Sequence, residues 1–124
     1  MKQKLYSIGY LDSLWRQAIK VLYHGRCAYC KRPGNEAHHI IRRSRILLRW
    51  DIKNGIYLCQ EHHSWVHTRA GDRWLAKYIP EMDYLEAYEY KTLKEYLHDN
   101  GMTNAEFRED KVKELKRLIQ EADK

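Results

Sequence analysis

Cysteine and histidine side chains crowd the stretch between residues 27 and 67 of this 124-residue chain. All three cysteines and five of the seven histidines lie there. Cys27 and Cys30 form a Cys-x-x-Cys pair, and Cys59 is followed by three histidines. Zinc prefers four tetrahedral ligands of these types, commonly supplied as two closely spaced pairs. The pattern therefore indicates a metal site, and buried reduced cysteines are the competing interpretation.

Either His62 or His63 could complete the second zinc pair, because residues three or four apart from Cys59 share its helix face. With His62 on zinc, His63 and His67 stand four residues apart and can share a second ion. With His63 on zinc, His62 and His67 lie about 140 degrees apart around the helix. The first assignment uses every ligand. It predicts a structural zinc site formed by Cys27, Cys30, Cys59 and His62.

The His38-His39 pair can supply a second, open metal site. One imidazole would bind the ion, and the other must stay free if the site is to hydrolyse a bond. Neighbouring residues on a regular strand point to opposite faces, so we expect the backbone to twist or end near His39. An unrelated histidine pair is more often a surface or packing feature, and that interpretation remains open.

Positive charge is concentrated on the metal-rich part of the chain. Residues 1–80 carry 15 Lys and Arg against 5 Asp and Glu, whereas residues 81–124 carry 8 against 12. A field of this sign favours a polyanionic partner, and arginine binds phosphate well; a merely soluble basic surface is the alternative. The candidate phosphate-binding residues are Arg42, Arg43, Arg45, Arg49, Arg69 and Arg73.

Helical spacing of apolar residues predicts a first helix over 12–24, capped by Asp12 or Ser13 and closed by Gly25. We interpret it as a scaffold behind the zinc knuckle. Residues 42–54 fit neither helical nor strand periodicity and are expected to form a long, partly packed hairpin loop. The remaining predicted elements are strands at 37–41 and 55–58 and helices at 60–69, between Gly71 and Pro80, at 83–99, and after a capping box at Thr103-x-x-Glu106. We expect the last helices to pack on the core or to mediate association.

No apolar run reaches the roughly 20 residues of a membrane span, and the segment MKQKLYSIGY lacks the apolar run of a secretory signal. Three cysteines also make a poor disulfide framework. These features predict a cytoplasmic protein that has no membrane partner.

The order of these motifs resembles the HNH endonucleases with a ββα-metal (His-Me finger) site, and most of all the small phage HNH nucleases of the recombination-nuclease type. The resemblance is strongest over residues 12–80. The motifs that carry it are Cys-x-x-Cys, Ala37-His38-His39-Ile40, Arg49-Trp50-Asp51 with Asn54-Gly55, and Leu58-Cys59-x-x-His62-His63-x-x-x-His67.

The resemblance implies a role for each matched residue. His38 and His63 fall on the ligands of the catalytic ion, His39 falls on the general base, and His67 is similar to the extra histidine ligand of nuclease colicins. Asn54 is the middle letter of the motif and is thought to hold the loop that carries the base. An Asn-Gly pair also favours a tight turn, so Asn54 has a purely structural interpretation too. His62 departs from the family, which usually has a fourth zinc cysteine there.

These observations together predict an α+β fold in a single HNH nuclease domain spanning 1–124. It would comprise an N-terminal helix segment at 1–26, a zinc knuckle with a ββα-metal core at 27–69, and a helical extension at 70–124. The resemblance implies a DNA endonuclease of low sequence specificity that is selective for branched or nicked DNA in phage recombination or processing.

The implied cofactors are structural zinc and a catalytic Mg, Mn, Ni, Co or Zn ion. DNA is the expected partner, with a homodimer or other phage DNA-processing proteins as further candidates, in the host cytoplasm if the protein is phage-encoded. The alternative is a noncatalytic, zinc-stabilised module that binds DNA or protein.

Overall fold

The computed structural model describes residues 4–122, which fold into an α+β arrangement of helices around one two-stranded sheet. Residues 1–3 and 123–124 of the predicted domain lie outside the described residues. The elements in chain order are α1 (Ile8–Leu22), β1 (Glu36–His39), α2 (Ile46–Arg49), a 3-10 helix (Ile52–Asn54), β2 (Gly55–Leu58), α3 (Gln60–Trp65), α4 (Arg69–Tyr78), α5 (Met82–Tyr88), α6 (Leu93–Asp99) and α7 (Asn104–Ala122). Within the described part of the chain, no helix is both long and apolar enough to span a bilayer.

The sheet consists of β1 and β2 in antiparallel register, with Glu36 opposite Leu58 and His39 opposite Gly55. The prediction of β2 is confirmed, whereas β1 begins and ends earlier than 37–41. It ends at His39 because the next residues turn away to the side chain of Asn54, which accepts from the Ile41 amide at 2.6 Å. The expectation that the backbone leaves the strand near His39 is therefore confirmed.

Helix α1 begins four residues before the predicted start. Ser7 is its N-cap and accepts from the Tyr10 amide at 3.1 Å, so the predicted caps Asp12 and Ser13 are wrong. The prediction that Gly25 closes the C-terminal end of this helix is confirmed, because Gly25 has a φ of +69° and its amide donates to the Lys20 carbonyl at 2.9 Å.

The buried face of α1 packs against the sheet and α7 rather than behind the zinc knuckle. Trp15 and Ile19 share a core cluster with Phe107 and Leu115 of α7, while Cys27 belongs to a second cluster. The interpretation of α1 as support for the knuckle is therefore wrong. The expectation that the acidic tail packs on the core is confirmed, and the buried apolar stripe of α7 is what holds it there.

The predicted loop at 42–54 contains more helix than expected, whereas the predicted helix at 60–69 is shorter than expected. Residues 46–49 and 52–54 form short helices, because burial of Leu47 and Leu48 outweighs the weak local pattern. The helix from residue 60 ends at Trp65, since Thr68 caps α4 by accepting from the Gly71 amide at 3.2 Å. A Cβ at Gly71 would lie 2.1 Å from the Trp65 carbonyl oxygen, so this corner requires glycine.

The helix predicted over 83–99 is two helices, α5 and α6. Thr92 caps α6 by accepting from the Glu95 amide at 3.1 Å, a local signal as strong as the one at residue 103. The capping box at Thr103 is confirmed, with reciprocal 3.1 Å hydrogen bonds to Glu106.

Candidate metal centres

Three cysteines and one histidine meet as the sequence predicts, and together they could hold a zinc ion. The ligand atoms of Cys27, Cys30, Cys59 and His62 all lie within 4.8 Å of one another. Zinc–sulfur bonds of 2.3 Å in a tetrahedron place two sulfurs about 3.8 Å apart. The Cys30 and Cys59 sulfurs are 3.8 Å apart, and His62 Nδ1 lies 3.2 Å and 3.7 Å from the sulfurs of Cys59 and Cys27. The donor set therefore fits a closed, four-coordinate site.

The Cys-x-x-Cys turn is held by backbone hydrogen bonds from the Cys27 and Lys31 amides to the carbonyls of Arg32 and Cys27. Lys31 adopts a left-handed φ of +64° to close it. Hydrogen bonding from the Arg32 guanidinium lowers the pKa of the Cys30 thiol to about 6. A thiol that ionises this readily favours the thiolate form that binds metal.

A second cluster brings together His38 from β1, His63 from α3 and His67 from the turn that follows. The three rings form a nearly equilateral triangle, with centroids 5.1, 5.2 and 5.4 Å apart. Their ligand nitrogens lie within 4.8 Å of one another. Burial, followed by the charges of His63 and His67, lowers the pKa of His38 to about 4, so its ring is neutral and available to a cation. The cluster could hold a metal ion, and all three side chains line one cleft.

Glu36 orients the His63 ring. Its carboxylate lies 3.2 Å from Nδ1 of His63, which leaves Nε2 of that ring as the atom free for metal. A carboxylate bonded to the far nitrogen fixes both the tautomer and the plane of a ligating histidine. Glu36 is therefore part of the candidate site although the sequence analysis did not include it.

His39 belongs to neither cluster and lines the same cleft as the three clustered histidines. Its Nε2 lies 2.9 Å from the Arg49 carbonyl oxygen. A carbonyl only accepts, so Nε2 carries the hydrogen and Nδ1 is the unprotonated nitrogen. Burial lowers the pKa of His39 below its usual value, although the Arg49 carbonyl opposes the shift. The neutral ring therefore offers one basic nitrogen.

The indole of Trp15 stacks on His39 with centroids 3.8 Å apart and an interplanar angle of 7°. Gly55 makes this contact possible, since a Cβ there would lie 2.7 Å from the Trp15 ring and 2.4 Å from Ile19. Gly55 has an extended backbone with φ of −133°, so the interpretation of Asn54-Gly55 as a tight turn is wrong. The missing side chain permits close approach instead.

Asp12 anchors the segment that contains Arg49, whose carbonyl accepts the hydrogen bond from His39. Its carboxylate accepts two hydrogen bonds from the Arg49 guanidinium, at 2.7 and 2.9 Å, and one from the Trp50 indole at 2.8 Å. Burial would raise the pKa of Asp12, but these hydrogen bonds and the charge of Arg49 outweigh it and lower the pKa. The guanidinium of Arg49 is thus engaged inside the protein rather than turned to a phosphate.

Asn54 is fully buried and ties the loop together. Its side-chain oxygen accepts from the Ile41 amide, and its nitrogen donates to the carbonyls of Ile41 and Leu48 at 3.0 Å. Its own carbonyl accepts from the Ile40 amide at 3.1 Å. It thus joins the segment after β1 to the α2 segment without itself lining the cleft.

The predicted phosphate-binding arginines occupy different places. Arg42 and Arg43 line the cleft of about 540 Å³ that contains the histidines. Arg45 lies over the ring of Tyr90, while the exposed Arg69 and Arg73 on α4 do not line the cleft. Only two of the predicted arginines therefore adjoin the candidate reaction centre directly.

Comparisons with family models, with curated proteins and with solved structures returned no match for this chain.

Proposed function

We propose that this protein is a metal-dependent endonuclease of the HNH type that hydrolyses phosphodiester bonds in DNA. The observation that carries the proposal is the placement of His39, which lines the cleft beside three clustered histidines and has one unprotonated nitrogen. A purely structural metal site has no use for such a group. The strand, strand and helix order around the cluster supports the same conclusion.

His39 acts as the general base in this proposal. Its Nδ1 takes a proton from a water molecule, and the resulting hydroxide attacks the phosphorus atom in line with the departing 3′ oxygen. The Arg49 carbonyl holds the opposite ring edge and stabilises the protonated ring as it forms. A neutral histidine is suited to this role near pH 7.

The three-histidine cluster lies where it can stabilise the leaving 3′ oxygen in this proposal. A divalent ion held by His38, His63 and His67 would supply positive charge and act as a Lewis acid for that oxygen. All-imidazole ligation favours Mn, Co, Ni or Zn, and open positions filled by phosphate and water could admit Mg. Arg42 and Arg43 bind the adjacent phosphates without reading sequence, which gives low sequence specificity.

A noncatalytic zinc module that binds DNA or protein is the second candidate. The complete Cys3His donor set favours it as strongly as it favours a nuclease, because either protein needs a stable knuckle. The two candidates differ at His39, which a binding module does not require.

The deciding experiment is cleavage of supercoiled plasmid and of linear, branched and single-stranded DNA under Mg, Mn, Co, Ni and Zn in turn. We expect cleavage that depends on the added ion and falls at least about a hundredfold in His39→Ala. His98→Ala, which removes an exposed histidine on α6, is the matched control and keeps full activity. Zinc content should be the same in all three proteins, and each should be folded at the assay temperature.

Cleavage by His39→Ala at the wild-type rate would exclude His39 as the base. Absence of cleavage with every ion and substrate, in protein that retains its zinc, would favour the binding module.

A further inference from the structure

Tyr90 is the most exposed large hydrophobic side chain among residues 4–122, with 68% of its surface accessible. It lies in the connection between α5 and α6. The Arg45 guanidinium sits 4.7 Å from the centre of its ring, so one face of the ring is covered and the rest is open.

The pair adjoins the candidate reaction cleft. Arg42 lines that cleft, and its carbonyl accepts from the Arg45 amide at 3.0 Å, one turn along the chain. The positive charges of Arg45 and Arg42 both act on the Tyr90 hydroxyl, so Arg42 lies within electrostatic range of the ring and also lines the cleft. A strand with a phosphate at Arg42 would extend naturally toward the tyrosine ring.

The charges around Tyr90 are mixed but favour a polyanion. A hydrogen bond from its hydroxyl to Glu89 raises the pKa of the phenol, and the positive charges of Arg45 and Arg42 oppose that shift. Glu89 thus fixes the hydroxyl end of the ring, and the Arg45 guanidinium covers one of its faces. An oriented aromatic ring beside arginines is the arrangement that binds unpaired bases, whereas a paired base has no free face to offer.

We propose that Tyr90, backed by Arg45, is a stacking subsite for one unpaired nucleobase of a DNA strand whose phosphate lies at Arg42 and Arg43. This proposal rests on the proposed function of the cleft and specifies its substrate class. The substrate is DNA with an unpaired base next to the scissile phosphate, as in a fork, flap or junction. A fully paired duplex reaches the cleft but leaves the subsite unused.

The test measures binding to two fluorescent DNA probes of equal length and phosphate number, one fully paired and one forked by noncomplementary ends. Zinc-loaded protein without an added second ion is used, so binding is separated from cleavage. We expect wild type to prefer the fork, and Tyr90→Ala to lose roughly five- to a hundredfold in affinity for the fork alone. Tyr90→Phe should keep the preference because it keeps the ring.

Tyr10→Ala is the matched control. Tyr10 is also an exposed tyrosine with a cation beside its ring, Lys116 at 5.9 Å, but it lies on α1. Its loss should leave both affinities unchanged. A 2-aminopurine in the unpaired arm should be quenched by wild type and by Tyr90→Phe, but not by Tyr90→Ala.

Equal binding of fork and duplex by wild type, or an unchanged fork preference in Tyr90→Ala, would overturn the subsite. Fork selectivity that depends on Tyr90 in a protein that never cleaves would overturn the nuclease function and leave the subsite standing. Cleavage without fork selectivity would overturn the subsite and leave the nuclease function standing.

Discussion

Trp15 and His39 stack face to face, with ring centroids 3.8 Å apart and nearly parallel planes. Trp15 is itself fixed, because it is 1% exposed and its indole nitrogen donates to the Asp51 carbonyl at 2.9 Å. The Arg49 carbonyl holds one edge of the His39 ring. The first helix thus fixes the plane of the proposed base, and the loop fixes its tautomer.

Replacing Trp15 should therefore reduce kcat more than it changes KM for DNA. Trp15→Leu removes the stacking surface, and we expect kcat to fall at least about tenfold, since misplaced catalytic groups are costly. Trp15→Phe should recover part of the loss because it keeps an aromatic face. Leu115→Ala is the control: it also opens a cavity in this core cluster but should leave kcat of the folded protein unchanged. Folded Trp15→Leu with wild-type kcat would contradict this role.

The distribution of correct and wrong predictions follows from the range of the interactions. The zinc ligands and the His63–His67 pair were predictable because they come as short-spaced pairs on one turn or one helix face. His38 was assigned to the second cluster through the resemblance, because spacing alone did not distinguish it from His39. The partners of His39 were not, because Trp15 and the Asp12–Arg49 pair join residues separated by more than 20 positions. Arg49 shows most clearly what sequence alone cannot predict. Its residue type suggested phosphate binding, but in the folded protein its guanidinium pairs with the Asp12 carboxylate.

Some missed features did carry a local signal. Thr92-x-x-Glu95 has the same capping pattern as Thr103-x-x-Glu106, and only the second was used to place a helix boundary. Glu36 lies two positions before His38, so strand alternation puts both on one face. The early start of α1 carried a local signal too, because Ser7 is a good N-cap residue four positions before Leu11, which is fully buried on the same apolar stripe.

The Asp12 carboxylate should make the free energy of unfolding depend on pH in the acid range. Its pKa is lowered in the folded protein, so its contribution is fully present above the unfolded value of about 4 and is lost as pH falls through the folded value. We expect Asp12→Asn to cost roughly 2–3 kcal/mol of unfolding free energy at pH 7. Denaturant unfolding of both proteins at pH 7 and at the lowest pH at which both remain folded with zinc bound measures the difference. A cost that does not shrink at the lower pH would contradict this sign.

Removal of one zinc ligand should unfold the knuckle. Structural zinc contributes on the order of 10 kcal/mol to small domains, and Cys59 is one of the four candidate ligands. Cys59→Ser should therefore lose its zinc and melt at a lower temperature or aggregate. His67→Ala, which changes the other cluster, should retain that zinc. Metal content and thermal melting provide the measurement, and unchanged values in Cys59→Ser would show that the four residues do not hold a structural ion.

Glu36→Gln should weaken the affinity of the histidine cluster for its ion while sparing the saturated rate. Without the carboxylate, His63 loses the partner that orients its ring, an effect of about tenfold to a hundredfold in similar sites. Cleavage is measured against the concentration of Mn, and the midpoint should rise. Glu61→Gln is the control, because Glu61 is an exposed acid on α3 that pairs with Arg32 near the zinc. An unchanged midpoint in Glu36→Gln would remove it from the site.

Arg43 and Arg49 should respond differently to removal, although both were predicted as phosphate contacts. Arg43 is exposed and lines the cleft, so Arg43→Ala should weaken DNA binding and reduce its salt slope by about one unit. Arg49 is 15% exposed and bonded to Asp12, so Arg49→Ala should lower stability by about 3 kcal/mol because it leaves a partly buried carboxylate unpaired. Binding titrations across a salt series, together with unfolding curves, separate these effects. A reduced slope in folded Arg49→Ala with unchanged stability would mean that its guanidinium leaves Asp12 for a phosphate when DNA binds.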